Sequence, residues 1–145
     1  MKNKFITAHM EAAGVYARLS SAKRLQVGCV IVKDNTIIGI GYNGMPSGWE
    51  NDCEYLEYYD DGDNILKTKP EVLHAESNAI AKVARSTSST DGADLFVTCA
   101  PCLECSKLIH QSGIKRVYFG HKYRSDDGLK FLERCGIEVN QIESE

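Results

Sequence analysis

Apolar residues near the start of the chain recur at helical intervals. Ile6, Met10, Ala13 and Ala17 stand three to four positions apart, which predicts an amphipathic helix over residues 4–19, ended by Ser20, Ser21 and Ala22. The period then changes. Residues 27–32 form a continuous apolar run, Asp34 and Asn35 turn the chain, and residues 36–42 rise again, so an antiparallel hairpin is expected. Residues 41–48 carry three glycines and one proline and interrupt regular structure. From Glu50 to Asp63 there are seven acidic residues and no basic one, read as a solvated helix or loop that repels polyanions.

Beyond Pro70 a helical pattern covers residues 74–84, followed by a polar loop at 86–92 and a strand at 94–98. Residues 102–112 read as a helix closed by Gly113, residues 116–119 as a strand, residues 126–135 as a helix stopped by Gly136, and residues 137–141 as the last strand. The order α-β-β-α-β-α-β-α-β predicts an α/β fold. Its mixed five-stranded sheet has an N-terminal antiparallel hairpin at one edge, parallel fourth and fifth strands, and helices on both faces. No internal repeat is visible, and residues 1–145 are read as one domain.

Composition narrows the class. At 43% hydrophobic and 26% charged, the chain reads as an ordinary soluble globular protein. Seventeen basic against twenty acidic residues leave a net charge of −3, which disfavours a protein that grips nucleic acid through its phosphates. Residues 1–11 are polar and no run approaches the roughly 20 apolar residues that cross a bilayer, so a cytoplasmic chain without leader or membrane partner is expected. There, six cysteines suggest a metal site more than a disulfide framework.

The cysteines are not evenly spread. Pro101-Cys102-Leu103-Glu104-Cys105 puts two thiols three apart at the start of a predicted helix, and His74-Ala75-Glu76 opens another. A helix N-terminus favours thiolate, and two thiolates with one imidazole hold zinc while leaving a fourth tetrahedral position open to water. Glu76 is the proton carrier for that water. Together these residues make the His-x-Glu plus Pro-Cys-x-x-Cys signature of zinc-dependent nucleobase deaminases. Cys99 extends the run, but it ends a strand and Pro101 separates it from the pair, so it is not taken as a ligand. Cys29 and Cys135 read as core thiols. Cys53, with a histidine such as His9, is a weak candidate for a second metal site, and His110 and His121 read as hydrogen-bonded or exposed side chains.

The stretch His74-Ala-Glu-Ser-Asn-Ala-Ile80 with Cys99-Ala-Pro-Cys-Leu-Glu-Cys105 and Ile109 resembles the cytidine/deoxycytidylate deaminase superfamily. Gln26-Val-Gly-Cys-Val-Ile31, Gly39-Ile-Gly-Tyr-Asn-Gly-Met-Pro-Ser-Gly48 and Ser112-Gly-Ile114 narrow it to deoxycytidylate (dCMP) deaminases, over residues 5–142. The resemblance implies a three-layer α-β-α fold, catalytic Zn²⁺, and hydrolysis of dCMP to dUMP and ammonia for thymidylate synthesis. It also implies a homohexamer activated by dCTP and inhibited by dTTP with Mg²⁺. Asn43 is expected to bind the deoxyribose hydroxyl, Ala75 to line the base site, and Tyr123 and Arg124 to close over substrate. Ser21, Lys23 and Arg24 are placed to bind phosphate. Asn43, Gly44 and Met45 are matched to the effector site.

Two other readings fit the same residues. The same zinc chemistry could serve a nucleoside or an adenine in tRNA, which the acidic stretch disfavours. A zinc-stabilised interaction module without catalysis would have no use for Glu76.

Overall fold

The computed structural model describes residues 1–142; the last three residues of the expected domain lie outside that span. Helix α1 covers Asn3–Ala17, and β1 (Gly28–Lys33) and β2 (Thr36–Tyr42) follow it. Asp34 and Asn35 both adopt positive φ, 51° and 58°, which gives the turn the twist a two-residue hairpin needs. Then come α2 (Ala75–Ala84), β5 (Asp94–Cys99), α3 (Leu103–Gln111), β6 (Arg116–His121), α4 (Asp127–Arg134) and β7 (Glu138–Gln141). Gly113 and Gly136 sit just past α3 and α4 with φ of 79° and 80°, the left-handed stop expected from sequence.

The main sheet has five strands in the order β2-β1-β5-β6-β7. β5, β6 and β7 run parallel, while β1 is antiparallel to both of its neighbours. The connection from β2 through α2 therefore passes over β1 to reach β5. Alternation along the strands separates two apolar layers. Cys29, Ile31, Leu95, Val97, Val117 and Phe119 pack with residues of α2, α3 and α4 such as Ala79, Ile109 and Leu132. Val30, Val32, Phe96 and Tyr118 face Met10 and Ala13 of α1, with the Phe96 and Tyr118 rings stacked 4.6 Å apart. The result is the three-layer α/β arrangement expected. Two glycines permit it. A Cβ on Gly28 would collide with the Ala13 carbonyl of α1, and one on Gly41 would collide with the Ala75 carbonyl of α2.

One element differs from expectation. The acidic segment is neither helix nor open loop but a two-stranded antiparallel hairpin, β3 (Glu54–Tyr58) with β4 (Asn64–Thr68). Its turn closes through the Tyr59 amide on the Asp63 carbonyl, with Gly62 at φ 89°. Counting charge obscured the β-forming Tyr55, Leu56 and Tyr58 on one side of an Asp-Gly turn. The Lys67 and Glu57 side chains pair across it at 2.6 Å. Cys29 is wholly buried in the core, and Cys135, half-buried, packs against that same core. No helix among the described residues is long and apolar enough to cross a membrane.

Candidate active site

His74 and Cys102 occupy equivalent positions, each the N-cap residue of its helix, α2 and α3 respectively. Cys105 follows in the first turn of α3, and its backbone N–H donates to Cys102 Sγ at 3.5 Å. His74 Nδ1 lies 3.3 Å from Cys105 Sγ and 3.7 Å from Cys102 Sγ. All three donor atoms fall within 4.8 Å of one another. The nitrogen–sulfur edge of a tetrahedral zinc site is about 3.6 Å from ordinary bond lengths, so the donor set and its spacing fit zinc. Among the described residues this is the one group of three or more metal-binding side chains so gathered. Cys99 is outside it. The suggested pairing of Cys53 with His9 is not formed either: His9 Nε2 bonds Asn35 Oδ1 at 2.9 Å, and the Cys53 thiol donates to the Asn51 carbonyl.

The electrostatics suit a cation. Hydrogen bonds from the Cys105 thiol and then from His74 pull the Cys102 thiol down to about 4, so it carries charge at neutrality. Cys105 is pushed up by that same bond and by burial. Its bond to Cys102 raises His74. Glu76 is 4% exposed, and burial lifts its carboxyl to about 7. Burial also raises Cys99, to about 11, which keeps that thiol protonated.

His74, Glu76, Cys99 and Cys102 line a cavity of about 550 Å³. Of the residues expected at a substrate, Arg24, Asn43, Ala75, Glu76, Tyr123 and Arg124 line it, and Ser21 and Lys23 do not. Ser20 does the local work instead, donating from Oγ to the Asn43 carbonyl at 2.8 Å. The Lys23 side chain is outside the lining, but its backbone N–H donates to Glu54. The Arg124 guanidinium stacks 5.5 Å from the centre of the Tyr123 ring. Glu54, Thr68 and Lys122 line the cavity without having been singled out from sequence. Lys122 stands beside the Tyr123-Arg124 pair and could have been read with it. Glu54 and Thr68 depended on seeing the hairpin.

Asn43 is already partly committed. Its Oδ1 accepts from the Val27 amide and its Nδ2 donates to the Leu25 carbonyl, both at 2.8 Å, which leaves one amide hydrogen for a ligand. Gly44 exchanges both backbone bonds with Leu73, at 3.1 and 2.8 Å, so its N–H is used internally. Met45 lines a second, open hollow of about 540 Å³ with Trp49, Lys69 and Glu71.

Comparison with known proteins agrees with this geometry. The family model for the cytidine and deoxycytidylate deaminase zinc-binding region matches residues 3–121. ComE operon protein 2 of Bacillus subtilis is 34% identical over 139 residues, spanning 92% of this chain and 69% of that protein. Human deoxycytidylate deaminase is 42% identical over 121 residues, 81% of this chain and 66% of the human one. The chain thus spans about two thirds of the length of these relatives. The dCMP deaminase of cyanophage S-TIM5, solved in complex with dCMP and dUMP, superposes with a TM-score of 0.88 at 43% identity, covering 98% of this chain and 99% of that one. With its zinc-type donor set at two helix N-termini and a buried Glu76 alongside, the chain belongs to the cytidine and deoxycytidylate deaminase family.

Proposed function

We propose that this chain is an enzyme that hydrolyses dCMP to dUMP and ammonia. The observation that carries the reading is one cavity lined by His74 and Cys102 of the donor set, by buried Glu76, and by the cationic Arg24, Lys122 and Arg124. Similarity to a phage dCMP deaminase over nearly the full length of both chains supports the same substrate. A pocket that holds both an acid–base group and cations suits a base joined through a sugar to a single phosphate.

His74, Cys102 and Cys105 would hold the zinc, which when bound lowers the pKa of water toward neutrality. Glu76 carries the protons. It accepts one proton from the water as its oxygen bonds C4 and delivers that proton to the ring nitrogen N3; it then takes the remaining proton of the added hydroxyl as C4=O forms and passes it to the amine, which leaves as ammonia when the C4–N bond breaks. Burial, which raises its pKa toward neutrality, suits a group that must both take and give. Ala75, buried at the cavity wall, lines the base site. The free amide hydrogen of Asn43 serves the deoxyribose hydroxyl, Arg24 the phosphate, and Tyr123 with Arg124 closes the mouth.

The family resemblance extends the proposal to a cytoplasmic homohexamer that supplies thymidylate synthesis. In it dCTP activates, and dTTP with Mg²⁺ inhibits, near Asn43, Gly44 and Met45. Turnover of dCMP, CMP, deoxycytidine, cytosine and dCTP by the zinc-loaded protein tests the substrate. A marked preference for dCMP is expected, and a preference for deoxycytidine would overturn it. Activity that ignores both dCTP and dTTP with Mg²⁺ would remove the regulatory part.

A further inference from the structure

The loop after α1 is tied to both strands of the β3–β4 hairpin at one point. Glu54 and Thr68 are cross-strand partners at the open end of that hairpin. The Lys23 amide donates to Glu54 Oε1 and Oε2 at 3.1 and 2.9 Å, and the Arg24 amide donates to Oε2 at 3.1 Å. From the other strand, Thr68 Oγ1 accepts from Arg24 Nη1 at 3.2 Å. Arg24 is thus held by its backbone through Glu54 and by its side chain through Thr68, and all three residues line the substrate cavity.

A carboxylate in a cavity for an anion is unfavourable unless its charge is otherwise engaged. Here the Glu54 charge is directed at two backbone amides. Among the described residues no carboxylate forms an ion pair with the Arg24 guanidinium, so its remaining N–H groups are available. We propose that Glu54 and Thr68 are positioning residues that set specificity for a 5′-phosphorylated substrate by holding Arg24 toward the phosphate. The inference rests on the dCMP reading. It also gives the hairpin a task. A lone two-stranded ribbon is marginal in water, and this one is braced where it can orient a cation.

The test measures binding of dUMP and of deoxyuridine to the zinc-loaded protein by calorimetry, for wild type, Glu54→Gln, Thr68→Val, Arg24→Ala and the double variant Glu54→Gln/Arg24→Ala. Wild type should favour dUMP. Glu54→Gln and Thr68→Val should each weaken dUMP about 10-fold, the loss of one charge-assisted contact, and change deoxyuridine less than about twofold. Adding Glu54→Gln to Arg24→Ala should cost nothing further, because the effect runs through Arg24. Tighter dUMP binding by Glu54→Gln would mean that the carboxylate repels phosphate, and equal losses for both ligands would mean a general structural role; either overturns the inference. Thr68→Val tests the same anchoring of Arg24 independently, through its side chain, should Glu54→Gln fold poorly. A wild type indifferent to the phosphate would reject the dCMP reading as well. Wild-type preference with unchanged variants would reject this inference alone.

Discussion

His74 Nδ1 stands 3.3 Å from Cys105 Sγ although 31 positions separate them in the chain. Two helix N-termini are brought together by the sheet, and each contributes a donor. Purified protein should therefore carry about one zinc per chain by elemental analysis. Cys105→Ala and His74→Ala should each weaken zinc affinity by more than about 100-fold, beyond what the loss of an outer contact costs. Full zinc occupancy in either variant would contradict the assignment of ligands.

Close approach of α2 to β2 gives a second prediction. A Cβ at position 41 would strike the Ala75 carbonyl and come within 2.6 Å of the Ala79 amide. Gly41→Ala should cost about 1–3 kcal/mol in denaturant unfolding, the range for overpacking. Because His74 and Glu76 lie at that end of α2, activity should fall with it. An unchanged unfolding midpoint would show that α2 shifts freely.

Away from the site, Asp94 is 5% exposed and its Oδ1 accepts from Arg116 Nε at 2.9 Å, joining β5 to β6. Arg116→Gln leaves that carboxylate without its cation. Arg116 is part-exposed, so the expected loss is about 2 kcal/mol, below that of a fully buried pair. Asp94→Asn in the same background should recover part of it. Unfolding midpoints of the two variants check this directly.

Arg24 gives a kinetic prediction. Arg24→Ala should raise the KM for dCMP by about 10- to 100-fold through the loss of charge-assisted hydrogen bonds, and leave deoxycytidine turnover unchanged. Equal effects on the two substrates would remove Arg24 from the phosphate site.

The donor set was legible because its information is local. His-x-Glu and Cys-x-x-Cys each lie within one helix start, and the apolar periods around them identified those helices. The five main strands were legible for the same reason, from apolar runs and from turn residues such as Asp34-Asn35. What depends on distant contacts was not. The insertion of β1 between β2 and β5 is invisible in element order, because a crossover may pass over a neighbour. Ser21 and Lys23 adjoin Arg24 in sequence but lie outside the cavity lining, and the side chains that bond this loop are those of Ser20, Glu54 and Thr68. The hairpin that brings Glu54 and Thr68 together was hidden by its acidic composition, although Gly62 marked its turn.

Turnover of dCMP by zinc-loaded wild type beside Glu76→Gln is the most direct measurement. Wild type should release ammonia and dUMP in equal amounts. Glu76→Gln, at the same zinc content, should be slower by at least about 100-fold, the contribution of a positioned acid–base group. Failure of the zinc-loaded wild type to deaminate dCMP, or full activity in the variant, would contradict the proposed reaction and its proton carrier.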